Sequence, residues 1–270
     1  MTTSSTFTAT DGDAYELQMG RWSLRLAEPF LDFAGPVGAD EQVMDLGCGT
    51  GSLSLVLASR TAASRIQGVD ISAAYVDYAR HRTNDPRIEF RVGDACALPF
   101  SAASFDRVLS LLMLHFVPDS TAAVAEMRRV ARPGAVIAAA VWDARGGFVA
   151  QRLFLDTAAA LDPQAAALRA QNCTRPMTRP GELGTAWRAL GLRNIHETAL
   201  TIRMEYANFE DFWGPYLGRQ GPAAGYVAGL AFDALDRLRE YVRSAYLDGE
   251  PDGPRSYAAT AWAVRGTVPE

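Results

Sequence analysis

The stretch Val43-Met44-Asp45-Leu46-Gly47-Cys48-Gly49-Thr50-Gly51 constrains the fold of this chain more than any other. An apolar run that breaks into alternating glycines is a buried strand feeding a tight turn, with a helix opening at the last glycine. Such a turn presents free backbone N–H groups to a ligand and keeps side chains out of its way. The pattern is GxGxG. Dinucleotide-binding turns carry a third glycine where this chain has Ser52.

A strand–helix rhythm follows. Strands are expected over 42–48, 66–71, 88–93, 107–114 and 135–142. Helices are expected over 51–60, over 72–82 with Ser72 as N-cap, and from Asp119 or Ser120 to a stop at Pro133-Gly134. Alternation of this kind makes a doubly wound α/β sheet. Upstream, 15–33 is amphipathic and reads as a helix packed on the sheet, while the Thr/Ser-rich residues 1–13 read as disordered. Downstream, helices are expected over 148–168, 181–190, 209–217 and 226–246. Alternating strands over 194–206 and 257–264 suggest an antiparallel pair at one sheet edge. The fold expected is a Rossmann-like, seven-stranded, mostly parallel sheet. It is a single domain over 14–270, with a core at 42–143 and helical lid insertions near 146–178 and 208–255.

Composition removes several classes of function. All 26 basic residues are arginine, so no lysine can serve a P-loop, a Schiff base or a lysine aldolase. A net charge of −5 without a basic cluster argues against nucleic acid as partner. Cys48, Cys96 and Cys173 form neither a disulfide framework nor a zinc pattern, and no metal site is expected. No signal peptide or membrane span is legible, which points to the cytoplasm. The alanine-rich, lysine-free composition suggests a bacterial source.

Two further strand ends carry acids, in Gly68-Val69-Asp70-Ile71 and in Val92-Gly93-Asp94-Ala95. A carboxylate at Asp70 can accept hydrogen bonds from ribose hydroxyls and would repel a 2′-phosphate. Together with Ser104-Phe105-Asp106-Arg107-Val108 and Val130-Ala131-Arg132-Pro133-Gly134, these segments resemble the class I S-adenosylmethionine-dependent methyltransferases. The likeness is to the small-molecule branch around the ubiquinone/menaquinone-biosynthesis enzymes, over residues 42–143. The resemblance implies that Gly47, Cys48, Gly49, Thr50 and Gly51 hold the methionine part of the cofactor. It implies that Asp70, followed by Ile71, binds the ribose, and that Asp94 and Ala95 meet the adenine. Ser110 would line the methionine end. Asp45 either braces the turn or reaches the cofactor's amino group. Tyr15, Met19, Gly20, Arg21 and Trp22 resemble a segment that folds over the cofactor, and Arg21, with Arg25 as competitor, would pair with the methionine carboxylate.

The reaction expected is methyl transfer to an O, N or C atom of a small, apolar acceptor. The alternatives are a decarboxylase or cyclase that binds the same cofactor, or a non-catalytic binding partner. The DNA-base signature Asn-Pro-Pro-aromatic is absent: that position reads Ser110-Leu111-Leu112-Met113. His115 follows the fourth strand and is either a general base or a side chain packed over the pocket, while His81 and His196 read as structural. The aromatic residues of the two insertions should close over the acceptor, with Trp213 and Tyr216 nearest to it, or else form a dimer contact. Monomer and homodimer are both open.

Overall fold

The sheet has seven strands, the central ones buried over consecutive residues: β1 (Gln42–Leu46), β2 (Arg65–Asp70), β3 (Ile88–Val92), β4 (Phe105–Leu111), β5 (Ala131–Trp142), β6 (Arg193–Tyr206) and β7 (Arg255–Thr267). The computed structural model describes residues 5, 7, 11–63, 65–218 and 221–270. The strands form one sheet in the order β3-β2-β1-β4-β5-β7-β6. β1 to β5 are parallel, and β7 runs antiparallel to both β5 and β6. Strand order reverses at β1, between β2 and β4. In such sheets the ligand crevice opens there, beyond the carboxyl ends of the strands.

Successive strand residues face opposite sides. Val43, Leu109 and Ala138 join one core with Leu26, Phe30 and Leu57. Met44, Val108 and Ile137 join the other with Val124, Met127 and Trp187. Arg107 ties the amino-terminal end of the sheet to the preceding helix. Its buried guanidinium donates to the carbonyls of Ala34 (2.8 Å) and Pro36 (2.7 Å) and pairs with Glu41 at 2.9 Å.

Several boundaries differ from the expectations. The first helix begins at Gly12, inside the stretch expected to be disordered, because Asp11 caps it by accepting from the Ala14 N–H (3.1 Å). Of the stretch 1–13, positions 1–4, 6 and 8–10 lie outside the described residues. The chain then widens into a π turn over Glu16–Gly20 before the helix Arg21–Ala34. The helix expected to stop at Pro133-Gly134 ends at Val130. Those two residues instead fall in β5, where pairing jumps from Phe105 with Ala131 to Arg107 with Val136. The stretch 148–168 is divided between the helices Val149–Leu161 and Pro163–Cys173, because Asp162 caps the second and Pro163 cannot continue the first. The stretch 226–246 likewise divides into Gly221–Ala228 and Phe232–Leu247 across a turn at Gly229 and Leu230.

Trp187, on the helix Glu182–Ala189, is fully buried, and its indole N–H donates to the Ile137 carbonyl of β5 (3.0 Å). Trp187→Ala should cost about 3–5 kcal/mol, the usual loss for a buried aromatic side chain. Urea denaturation of the two proteins measures it.

Candidate functional site

The glycine turn closes β1 and reaches across to β2. Gly47 and Cys48 donate their N–H groups to the Val69 carbonyl (2.7 and 3.0 Å), and Gly49 donates to the Asp70 carboxylate (2.9 Å). The other oxygen of Asp70 accepts from the Ser72 N–H (2.9 Å), so one side chain braces both the turn and the next helix start. Gly51 has φ +92, and a Cβ there would lie 2.9 Å from the Phe90 ring, so its glycine is required by packing. Gly49 (φ +53) differs. A Cβ would meet only Tyr75, at 4.0 Å, and would otherwise project into open space.

That space is a cavity of about 710 Å³, part of it open to solvent, at the carboxyl ends of β1, β2 and β4. Of the residues singled out in the sequence, Tyr15, Gly47, Gly49, Asp70, Ile71, Asp94 and Ala95 line it together. Phe7, Tyr75, Leu112, Met113 and Phe116 line it as well. The sequence reading missed these, because a side chain that enters a pocket from a flanking loop leaves no motif. Leu112 holds a left-handed backbone (φ +64) just past β4 while donating to the Ala140 carbonyl (2.8 Å). Such conformations in bulky residues concentrate at functional sites.

The remaining expected cofactor residues do not line this cavity. Cys48 is buried against Val76, Ala79 and Phe90, and burial pushes its thiol up. Ser110 is fully buried on β4. The Thr50 hydroxyl donates to Glu16, and Arg82 binds both Glu16 (2.9 Å) and the Thr50 carbonyl (3.0 Å). Thr50 therefore holds the N-terminal segment over the turn. Asp45 is buried behind the turn and accepts from the Ser54 hydroxyl (2.7 Å), leaving its Oδ1 without a partner. Burial pushes its carboxyl up to about 7, with the nearby Asp70 charge adding to the rise. Arg21, expected at the methionine carboxylate, pairs here with Asp211 (2.9 Å) and lies 4.3 Å over the Trp22 ring. Its competitor Arg25 pairs with Glu205 (3.0 Å) and the Arg203 carbonyl (2.6 Å). Both arginines fasten the first long helix to the second half of the chain.

A second cavity, of about 730 Å³ and also partly open, adjoins the first and shares Phe7, Tyr15, Leu112 and Phe116 with it. Its lining includes His115, Trp142, Phe148, Leu155, Leu168 and Arg175. The insertion 146–178 therefore supplies much of its wall, and 208–255 contributes through Pro222 and Ala223. Trp213 is absent from this lining. Its ring is buried between Phe154 and Phe209, because the short helix Phe209–Trp213 turns its aromatic face into the core. Tyr216 stacks on Phe154 (3.9 Å between ring centres) and borders a smaller neighbouring space with Gln18, Met19 and Gln151. His115 is buried, and burial together with the Arg175 charge pushes its imidazole down to about 3.

The lining of the first cavity suits a positively charged ligand that bears hydroxyl groups. Asp70 and Asp94 supply acceptors, Asp45 lies close behind, and Gly49 leaves bare backbone on the floor. Residues 44–139 match the methyltransferase domain family model. The chain is 35% identical over 114 residues to methyltransferase GfsG of Streptomyces halstedii, covering 41% of each chain. It is 35% identical over 107 residues to 27-O-demethylrifamycin SV methyltransferase of Amycolatopsis mediterranei, covering 38% of this chain and 39% of that one. The matches thus span about two fifths of these relatives' length. Among solved structures, phosphoethanolamine N-methyltransferase 2 of Haemonchus contortus, in complex with phosphomonomethylethanolamine and S-adenosylhomocysteine, superposes with a TM-score of 0.61. That pair is 17% identical and covers 96% of this chain and 57% of the other. The sheet has the same fold as that solved structure, and residues 44–139 are the segment of this chain that is similar to the methyltransferase domain family.

Asp45 leaves a signature in stability. Its ordinary value is 3.8, against about 7 in the fold. Between those values the folded protein keeps a proton that the unfolded chain has lost, so this group lowers stability as pH rises from about 4 to 7, with no further loss above. Asp45→Asn should shrink the stability difference between pH 5 and pH 8, read from denaturation midpoints at the two values.

Proposed function

We propose that the protein is an S-adenosylmethionine-dependent methyltransferase that acts on an O, N or C atom of a small, apolar molecule. The observation that carries this reading is the pair of adjoining cavities. One is walled by the glycine turn, Asp70 and Asp94. The other is walled by apolar side chains, and Tyr15, Leu112 and Phe116 belong to both. When bound, S-adenosylmethionine supplies a methyl group on a positively charged sulfur.

The chain's own part is placement and exclusion of water, which can carry much of such a barrier. Asp70 accepts from the ribose hydroxyls, Asp94 accepts from the adenine amino group, and the backbone at Gly49 admits the methionine part. Tyr15, Leu112 and Phe116 shield the passage between the cavities. The insertion 146–178 and the segment around Ala223 act as the lid. His115 is a neutral imidazole at physiological pH. Its low proton affinity makes it a poor general base, since base catalysis works best with a pKa near the operating pH.

Transfer of tritiated methyl from S-adenosylmethionine across a metabolite panel tests the reaction. Tight cofactor binding without transfer to any candidate would favour a non-methylating enzyme or a binding partner. Asp70→Ala should weaken cofactor binding by roughly 1.5–3 kcal/mol, the range for a hydrogen bond to a charged group. Calorimetry on the folded variant measures it, and unchanged affinity would remove Asp70 from the ribose. His115→Gln should leave cofactor affinity within about twofold, or 0.4 kcal/mol, and slow turnover by less than about tenfold. A loss in the range 10²–10⁴ would instead assign it as a base.

A further inference from the structure

The second cavity holds one charge that has no acidic partner among the described residues. Nε and Nη1 of Arg175 are buried and have no hydrogen-bond partner among the described residues. The guanidinium carbon lies 4.4 Å from the centre of the Phe116 ring, a contact that orients the group without neutralising it. Among the described residues no aspartate or glutamate lines the cavity. Arg107 is the contrast: its more deeply buried guanidinium meets two carbonyls and Glu41, whereas Arg175 is half-buried with two of its nitrogens out of water and unpaired. Taking guanidinium donors out of water without a partner costs free energy, which a ligand that pairs with them recovers. Two more unpaired buried atoms belong to side chains of the same lining, Oε1 of Gln18 and Nδ1 of His115. Burial pulls Arg175 down to about 10, which leaves it charged at neutral pH.

Gln151 and Asn172, hydrogen-bonded to each other (3.0 Å), add polar groups to the lining, and most of the remaining wall is apolar, with Leu112, Trp142, Phe148, Leu155 and Leu168. A ligand that suits it has a hydrocarbon body and one anionic group. Arg175 is the one cation in the lining among the described residues, His115 is neutral, and the chain has no lysine. A diphosphate would bring more negative charge than one guanidinium balances, whereas a carboxylate matches its two parallel N–H donors and its single charge. Building on the methyltransferase reading above, we propose that the acceptor is an apolar carboxylic acid whose carboxylate pairs with Arg175, its hydrocarbon part lying along Trp142, Phe148 and Leu155. Arg175 is then the residue that selects acceptors by charge.

Decanoate and 1-decanol, equal in chain length and different in charge, separate the contributions. Binding of each is measured by calorimetry to the full chain saturated with S-adenosylhomocysteine, as wild type, Arg175→Gln and Arg175→Lys. Wild type should prefer decanoate. Arg175→Gln should weaken decanoate at least tenfold, about 1.4 kcal/mol, and change 1-decanol by less than twofold. Arg175→Lys should recover part of the loss. S-adenosylhomocysteine affinity, measured on every variant, shows that the first cavity is intact. Normal S-adenosylhomocysteine binding with equal affinity for the two probes, with no binding of decanoate, or with decanoate unaffected by Arg175→Gln would overturn the carboxylate assignment alone. Failure of wild type to bind S-adenosylhomocysteine would overturn the methyltransferase reading and the acceptor assignment with it.

Discussion

The hydrogen bond from the Gly49 N–H to the Asp70 carboxylate organises this molecule's functional end. It joins the turn after β1 to the tip of β2, and the same carboxylate receives the Ser72 N–H that opens the next helix. Burial raises the Asp70 carboxyl, and these backbone N–H groups oppose the rise. The turn is thereby held by a group that also faces the cavity. Cavity lining and local architecture share one side chain, which is why that end of the sheet is both braced and polar.

The N-terminal segment is attached to the same turn. Glu16 meets the Thr50 hydroxyl and Arg82, and Arg82 also meets the Thr50 carbonyl. Tyr15 is thereby placed where the two cavities meet, with its ring 5.0 Å from that of Tyr75. Phe7 stacks edge-on against Phe116 (4.8 Å) at the same junction. The cavity walls are thus built from segments far apart in the sequence, the first residues and the stretch 146–178.

The two cavities differ in charge. The first is flanked by Asp45, Asp70 and Asp94, and the second contains Arg175 and, among the described residues, no acid. A cationic methyl donor and an anionic acceptor would each find the opposite sign waiting, and each would be repelled by the other's chamber. In a partly desolvated site such differences count for more than they do in water.

The sheet, its glycine turn and the acids at two strand ends were legible in the sequence, because each follows from local chemistry. Continuous apolar runs need two covered faces, a turn at Gly51 needs a left-handed backbone, and Asp70 stands at the end of an apolar run. The helix breaks at Asp162-Pro163 and Gly229 were equally local, but apolar periodicity continues across them and hid them. Arg21, Trp213 and Arg175 belong to another category. Whether an arginine meets Asp211, a cofactor or nothing depends on what the fold brings within about 3 Å of it, as does whether a tryptophan faces core or cavity. By itself the sequence determined the α/β sheet and the site of its ligand crevice, since strand pattern and turn chemistry act over a few residues. Only the tertiary structure decided which side chains enter the crevice and which charges remain unpaired, because those depend on contacts between segments far apart in the chain.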